Sequence, residues 1–396
     1  MIEEFRENLH KFIHQALHGM GGNSQATVKI VDLIFDFAIK MRATDLHIEP
    51  FGNSLRFRYR IDGHLQELHE NIPIKLADFL ISRIKILARM DTTSTFSPLD
   101  GAIKFADTEM RVASMPSFGA ETITIRLLDS SRQLHNLKEL GFTADNEKIF
   151  REMIAETSGM IILTGPMNSG KSTTLYAALR EINLPMRSIM TLEDPIEQHL
   201  DGVSQIQVNE KVGLTFATGL RAMLRMDCNC LMVGESRDSE TSQIAVRAAL
   251  TGHLIFTTLH AGDSCSAVFR MIEMGVEPYL LASTLNGVVA QRLVRKLCPH
   301  CKKFVSEENI YKPVGCDKCG GTGYFGRIAL HEILRADKNI RALILNSKDL
   351  DKIRESAIEG GLKNLAADGL QKVREGLTTL EEVRQILGAE FFNLSR

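Results

Sequence analysis

"MIILTGPMNSGKSTTLYAALREI", residues 160–182, decides the fold. A short apolar strand runs into Gly165-Pro166-Met167-Asn168-Ser169-Gly170-Lys171-Ser172, the spacing G-x-x-x-x-G-K-[ST] of a phosphate loop, and a helix follows. A chance glycine-rich turn would not carry both flanking elements. The chemistry needs these residue types. Glycines let backbone N–H groups face phosphate oxygens without a Cβ in the way. The helix N-terminus favours an anion. Lys171 is expected to reach the β- and γ-phosphates and Ser172 to ligate Mg²⁺. Gly165, Pro166, Asn168, Ser169, Gly170, Lys171, Ser172 and Thr173 are therefore the candidate ATP-binding residues.

Downstream, apolar strands alternate with helices: "SIMTLED", "FATGLRAMLRM", "CLMVGE", "ETSQIAVRAAL", "HLIFTTLH". That rhythm predicts an α/β domain with a largely parallel, doubly wound sheet. "CLMVGE" ends in Glu235, a carboxylate expected near Mg²⁺ or its water shell. "TLEDPIE" puts Glu193 and Asp194 just past a strand, where ligands of open α/β sheets bind. A carboxylate there can orient an attacking water; two solvated loop acids are the plainer alternative. His253 and His260 flank one strand, a spacing unsuited to shared metal ligation. His260 fits a polar sensor near the γ-phosphate, while His253 is equally readable as a structural histidine.

The first ~130 residues differ in pattern. "ATVKIVDLIFDFAIKMR" (26–42) and residues 73–90 have helical spacing. "DLHIEP", "LRFRYRID", "GHLQEL", "MRVASMP" and "ETITIRLLD" read as strands. Residues 1–130 are thus expected to form a small α+β domain, 131–142 a linker, and 143–396 the phosphate-loop domain, including a tetracysteine segment at 298–326 and a helical tail at 337–396.

Four of the seven cysteines lie in "CPHCKKFVSEENIYKPVGCDKC", as Cys298-x2-Cys301 and Cys316-x2-Cys319 with 14 residues between the pairs. Two CxxC knuckles suit a closed tetrahedral Zn²⁺ site, which is structural rather than catalytic. A redox pair would need a different βαβ context, and disulfides are rare in a reducing compartment. Cys228, Cys230 and Cys265 read as buried small hydrophobes.

The net charge of −2 argues against recruitment of nucleic acid or acidic lipid by a whole-chain field. No apolar run approaches the ~20 residues that span a bilayer. The charged N-terminus "MIEEFRENLHKF" has no apolar signal core. A cytoplasmic location is expected, with only peripheral membrane association at the inner face of the cytoplasmic membrane.

Together these pieces resemble the secretion ATPase family, whose members power type II secretion, type IV pilus assembly and competence pseudopilus assembly. The resemblance runs from about residue 26 through "TDLHIEP", "FRYRIDG", "SPLDGAIKF", "RVASMP", "TGPMNSGKSTTLY", "TLEDPIE", "LTFATGLRAMLRMDCN", "VGESRDSETSQIAVRAALTGHLIFTTLHAGDS", "QRLVRKLCPHC" and "GCDKCGGTGYFGRIALHEIL". It implies a RecA-like ATPase domain behind a PAS-like N-terminal domain. It implies that Glu193 positions the attacking water, that Glu235 belongs to the magnesium strand, and that His253 and His260 form a histidine box with His260 on the γ-phosphate. Arg111 and Arg126 match arginines implied to reach nucleotide when domains close; Arg221 and Arg225 match arginines implied at a subunit boundary. Surface ion pairs are the plainer reading of each arginine.

The family's usual Pro-Asp after "LRMD" is Cys228–Asn229 here, which removes a carboxylate near the site. Only about 25 residues precede the first match, so the family's extra N-terminal docking domain is expected to be missing. The implied machine is a homo-hexamer that hydrolyses ATP and drives an inner-membrane platform protein to assemble pilin-like subunits. A retraction motor, a nucleic-acid translocase and a non-hydrolysing scaffold are the alternatives. The cysteine knuckles argue against the first, and the near-neutral charge without an aromatic-basic stripe argues against the second.

Overall fold

The computed structural model describes residues 2–18, 24–93, 96–128, 136–346 and 349–388. It divides into two compact units. One comprises Met1–Arg132 with Cys298–Lys302 and Pro313–Gly326; the other comprises Gln133–Leu297, Lys303–Lys312 and Arg327–Arg396. Of the expected linker, residues 131–135 lie outside the described residues, and Leu137–Leu140 is a single 3₁₀ turn.

The first unit contains α1 (Ile2–His18), α2 (Ser24–Lys40), β1 (Asp45–Phe51), β2 (Ser54–Ile61), β3 (His64–Gln66), β4 (Ile72–Pro73), α3 (Ala77–Leu87), β5 (Leu99–Phe105), β6 (Thr108–Pro116) and β7 (Glu121–Leu128). The sheet order is β3-β2-β1-β7-β6-β5, with β4 also on β2, and the pairs are antiparallel. β2 shows why one face is covered. Leu55, Phe57, Tyr59 and Ile61 point into a core shared with helix residues such as Phe5, Ile34, Phe37 and Ile84, while Arg56, Arg58 and Arg60 alternate to the other face. Sequence reading missed α1, whose buried positions are only Phe5, Leu9 and Ala16, and β5, where Asp100, Gly101 and Lys104 blur the alternation.

This unit also buries an ion pair. Lys85 Nζ lies 2.6 Å from Glu121 Oε1, and Ser114 Oγ donates to Glu121 Oε2 at 2.6 Å. Removing one partner strands a buried charge, so Lys85→Met should cost about 3–5 kcal/mol in denaturant unfolding, with Lys85→Met/Glu121→Leu costing less. A single variant no worse than the double would contradict the geometry.

The second unit contains α4 (Ala144–Ala155), β8 (Gly159–Thr164), α5 (Lys171–Ile182), β9 (Ile189–Glu193), β10 (Ser204–Gln207), α6 (Phe216–Met223), β11 (Cys230–Val233), α7 (Ser239–Leu250), β12 (Leu254–Leu259), α8 (Ser264–Glu273), α9 (Pro278–Thr284), β13 (Leu285–Leu297), β14 (Lys303–Val305), β15 (Ile310–Lys312), β16 (Tyr324–Arg335) and the tail helices α10 (Lys338–Asn346), α11 (Leu350–Glu359), α12 (Leu365–Arg374) and α13 (Leu380–Leu387). The first residues of β16, Tyr324–Gly326, belong to the first unit. Residues 389–396 of the expected helical tail lie outside the described residues.

The main sheet runs β10-β9-β11-β12-β8-β13-β16, and its ladders from β10 to β13 are parallel. Successive residues of β8 explain the two-sided burial. Met160 and Ile162 enter one core with α6 to α11; Ile161 and Leu163 enter another with α4 and α5. Central parallel strands are buried on both faces, so β8, β9, β11 and β12 read as apolar runs rather than alternations. The expected α/β architecture is thus present. The chain leaves β8 for β9 with β11 and β12 lying between them, which places the loop after β8 at a switch in strand order.

Candidate active site

The loop after β8 has the backbone that its glycines allow. Gly165 has φ 149° and Gly170 φ 87°, and Asn168 takes φ 62°, a region asparagine tolerates. Gly170 caps α5, so the first amides of that helix open onto the loop. Pro166 and Asn168 are exposed, Ser169 is buried and Thr173 half-buried. Lys171 Nζ donates to the carbonyls of Gly165 (2.8 Å) and Pro166 (2.9 Å). Burial, and then the Arg292 guanidinium, push its pKa down to about 8, against the opposing pull of Glu235 and Glu197.

Ser172 Oγ donates to Glu197 Oε1 at 3.1 Å. Glu197 is therefore the carboxylate of "TLEDPIE" that meets the phosphate loop, and the sequence reading did not single it out. Glu193 lies deeper. Its carboxylate accepts from Tyr176 Oη, from Thr191 Oγ1 (2.6 Å) and from Gln205 Nε2 (3.1 Å). The same Tyr176 hydroxyl accepts the Glu197 backbone N–H at 3.1 Å. Glu193 thus shapes the loop that presents Glu197, and its own oxygens are engaged. Asp194 is exposed.

Glu235 follows β11, is mostly buried and pairs with Arg237. His260 is exposed at the carboxyl end of β12, where Leu259 is in register with Thr164. His253 is not brought to the phosphate loop. It precedes Leu254, which is in register with Gly159 at the far end of β8, and its Nδ1 lies 3.0 Å from Ala248 O. The histidine box is split by the length of a strand, because residues at opposite ends of a six-residue strand are about 17–20 Å apart. Arg221, on α6, pairs with Glu240 on α7, and Arg225 donates to Arg221 O at 2.9 Å; both guanidinium groups lie at the surface.

The sequence profile of the Type II/IV secretion system protein family matches residues 22–385. The chain belongs to that family. It is 44% identical over 381 residues to the type II secretion system protein E of Aeromonas hydrophila, covering 91% of this chain and 75% of that protein. It is 40% identical over 379 residues to the type IV pilus assembly ATPase PilB of Myxococcus xanthus, covering 90% and 67%. The crystal structure of the pilus retraction motor PilT with bound ADP aligns at TM-score 0.62 and 26% identity, over 90% of this chain and 96% of that one.

In the first unit, Arg111 and Arg126 stand opposite each other on β6 and β7. Arg126 Nε donates to Asp45 Oδ1 at 3.1 Å, while its side chain stays 63% exposed. The sheet face therefore presents two adjacent cations.

The cysteine knuckles converge. The four sulfurs of Cys298, Cys301, Cys316 and Cys319 lie within 4.8 Å of one another. Cys298–Cys316 is 3.9 Å, and both Cys301–Cys319 and Cys316–Cys319 are 3.8 Å. Sulfurs about 2.3 Å from a central zinc have tetrahedral edges of about 3.8 Å, so the donor set fits that ion. The contacts are far longer than the ~2.05 Å of a disulfide. Backbone amides of Cys316 and Gly323 donate to Cys319 Sγ at 3.2 Å each, as expected for a site that gathers negative sulfur.

Proposed function

We propose that the chain is a cytoplasmic ATPase motor of the secretion and pilus-assembly machinery, hydrolysing ATP at the phosphate loop and using it to assemble a pilus-like or pseudopilus filament. The observation that carries this reading is the loop itself. Lys171, the Ser172 hydroxyl and the carboxylates of Glu197 and Glu235 belong to one loop, the helix it opens and the segments beside it. Lys171 neutralises phosphate charge, and the N-terminus of α5 supplies amide donors. Ser172 with Glu235 or Glu197 offers hard oxygen donors suited to Mg²⁺, which would supply charge neutralisation at the phosphates. Glu193, through Tyr176, holds the acidic loop in place for the attacking water. His260 stands at the right strand end to read the γ-phosphate.

Arg111 and Arg126 serve nucleotide when domains close, Arg221 and Arg225 serve a subunit boundary, and the assembly is a homo-hexamer acting on an inner-membrane platform protein. The N-terminal unit is PAS-like and the ATPase domain RecA-like. The cysteines hold one structural Zn²⁺. Identity to secretion and pilus-assembly proteins at 40–44%, against 26% to the retraction motor, favours assembly over retraction.

ATPase turnover tests the reading. Glu235→Gln should lower the rate about 10²-fold or more while retaining nucleotide binding. Equal, near-zero rates in wild type and variant would leave a nucleotide-binding scaffold in its place.

A further inference from the structure

β13 carries two side chains that neither the phosphate-loop motif nor the "TLEDPIE" segment accounts for. Ala290 is in register with Thr164, so Gln291 is level with Gly165. On the other side of β8, Leu259 is also level with Thr164, so His260 flanks the same position. Gln291 and Arg292 are both buried, at 2% and 7% exposure.

Gln291 touches the phosphate loop at its start, its end and the helix beyond. Its Oε1 accepts from Thr174 Oγ1 at 2.8 Å, and its Nε2 donates to Ser169 O at 2.8 Å. A Cβ on Gly165 would fall 2.5 Å from Gln291 O, and one on Gly170 would fall 2.7 Å from Gln291 Nε2. The two motif glycines are therefore packed against this one residue. Arg292 continues the connection. Its Nη1 donates to Gln291 O at 3.1 Å and its Nη2 to Gly262 O at 2.5 Å. Gly262 follows β12, and β8 lies between β12 and β13, so the guanidinium bridges past the end of the loop-bearing strand. The segment it reaches is already tied to β8: the Ala261 N–H donates to Thr164 Oγ1 at 2.9 Å, and that hydroxyl donates to Ala261 O at 3.2 Å.

We propose that Gln291 and Arg292 are positioning residues: Gln291 sets the shape of the phosphate loop, and Arg292 ties that shape to the segment carrying His260. The proposal rests on the reading of this loop as the ATP site. A fork of fixed geometry joined to two backbone carbonyls transmits a shift of one into the other, which a flexible ammonium does less well. Arg292 also bears on the chemistry through charge, since it lies close enough to Lys171 to oppose its protonation. A phosphate arriving between them changes the balance of forces on both cations at once.

The consequences of the two side chains separate. Gln291→Met removes the loop's internal brace and should weaken binding of fluorescent ADP about tenfold, with a matching rise in the KM for ATP. Arg292→Met should leave ADP affinity within about twofold but lower kcat about tenfold or more, since sub-ångström misplacement of a reacting group is costly. Arg292→Lys should recover part of that loss. Hydrogen exchange gives a second readout independent of turnover. In wild type, a non-hydrolysable ATP analogue should protect the 260–263 amides beyond what ADP does; in Arg292→Met that difference should vanish with the analogue still bound. Persistence of the difference, an unchanged kcat, or losses that only follow the unfolded fraction seen by circular dichroism would overturn the proposal. Failure of the wild type to bind nucleotide would instead sink the reading of the site on which it rests.

Discussion

Lys171→Ala should cut ATP hydrolysis by about 10²–10³-fold, because on the proposed reading of the loop it removes the one loop side chain that would place a positive charge on the transferred phosphoryl group. Lys171 Nζ donates to the Gly165 and Pro166 carbonyls at 2.8 and 2.9 Å, so the ammonium is held at the loop mouth by neutral acceptors. An anionic phosphate outcompetes them, since bonds between charged partners are roughly twice as strong as neutral ones. The substitution also loses those two bonds, which should slacken the loop and weaken ADP binding. Circular dichroism and melting separate this from unfolding, since α5 and β8 keep their core contacts through Leu175, Leu179, Ile161 and Leu163.

The same lysine gives a pH dependence with a defined sign. Its pKa in the folded chain is depressed to about 8 by burial and by Arg292. The unfolded chain therefore holds more protons between about pH 8 and the ordinary lysine range, and stability of the nucleotide-free protein rises with pH across that window. Nucleotide affinity should run the other way. Bound phosphate favours the ammonium, so binding above about pH 8 must take up a proton, and ADP affinity should fall as pH rises through that value. Titrations with fluorescent ADP from about pH 7 to 9.5 would measure this. A flat profile, or one unchanged in Lys171→Arg, would remove Lys171 as its cause.

The phosphate loop was legible because its chemistry is local: spacing, flanking strand and flanking helix all lie within residues 160–182. The same holds for Glu235, which ends an apolar strand. Positions set by tertiary contacts were less legible. Glu193 and Glu197 lie four residues apart in one acidic segment, and sequence alone does not tell which oxygen faces Ser172. Only the approach of Tyr176, Thr191 and Gln205 occupies Glu193 and leaves Glu197 for the loop. His253 was joined to His260 by the family resemblance, whereas the residues themselves already put the two on either side of one strand, and β12 is the strand that separates them. Gln291 and Arg292 open "QRLVRKLCPHC", whose residues before the cysteines were noted only for their resemblance. Their signal was two buried polar residues in the middle of an apolar strand, a pattern that needs internal partners.

Loss of the cysteine site should have the largest effect on the other compact unit. Cys319→Ser removes a thiolate whose sulfur lies 3.8 Å from both Cys301 and Cys316 and receives two backbone amides. Structural zinc binding is coupled to folding of its loops, so three ligands should not hold the knuckles closed. The consequence extends beyond the cysteines, because the knuckles pack within the unit built by the N-terminal sheet. Gly320 abuts Met41 closely enough that an added Cβ would lie 2.8 Å from its Cε. Arg42 stacks over Phe325 at 3.7 Å, and the Gly326 N–H donates to Asp62 Oδ2 at 2.9 Å. Opening the knuckles releases these contacts from the end of α2 and from the turn between β2 and β3. Metal analysis of the wild type should therefore find about one zinc per chain. Cys319→Ser should lose it, lower the first melting transition by about 5 °C or more, and raise hydrogen exchange at residues 41–43 and 61–63. Fluorescent ADP binding at the phosphate loop should change far less, since none of these contacts belongs to that unit. A wild type without metal, or a variant that melts unchanged, would refute the assignment of the four cysteines to a zinc clamp.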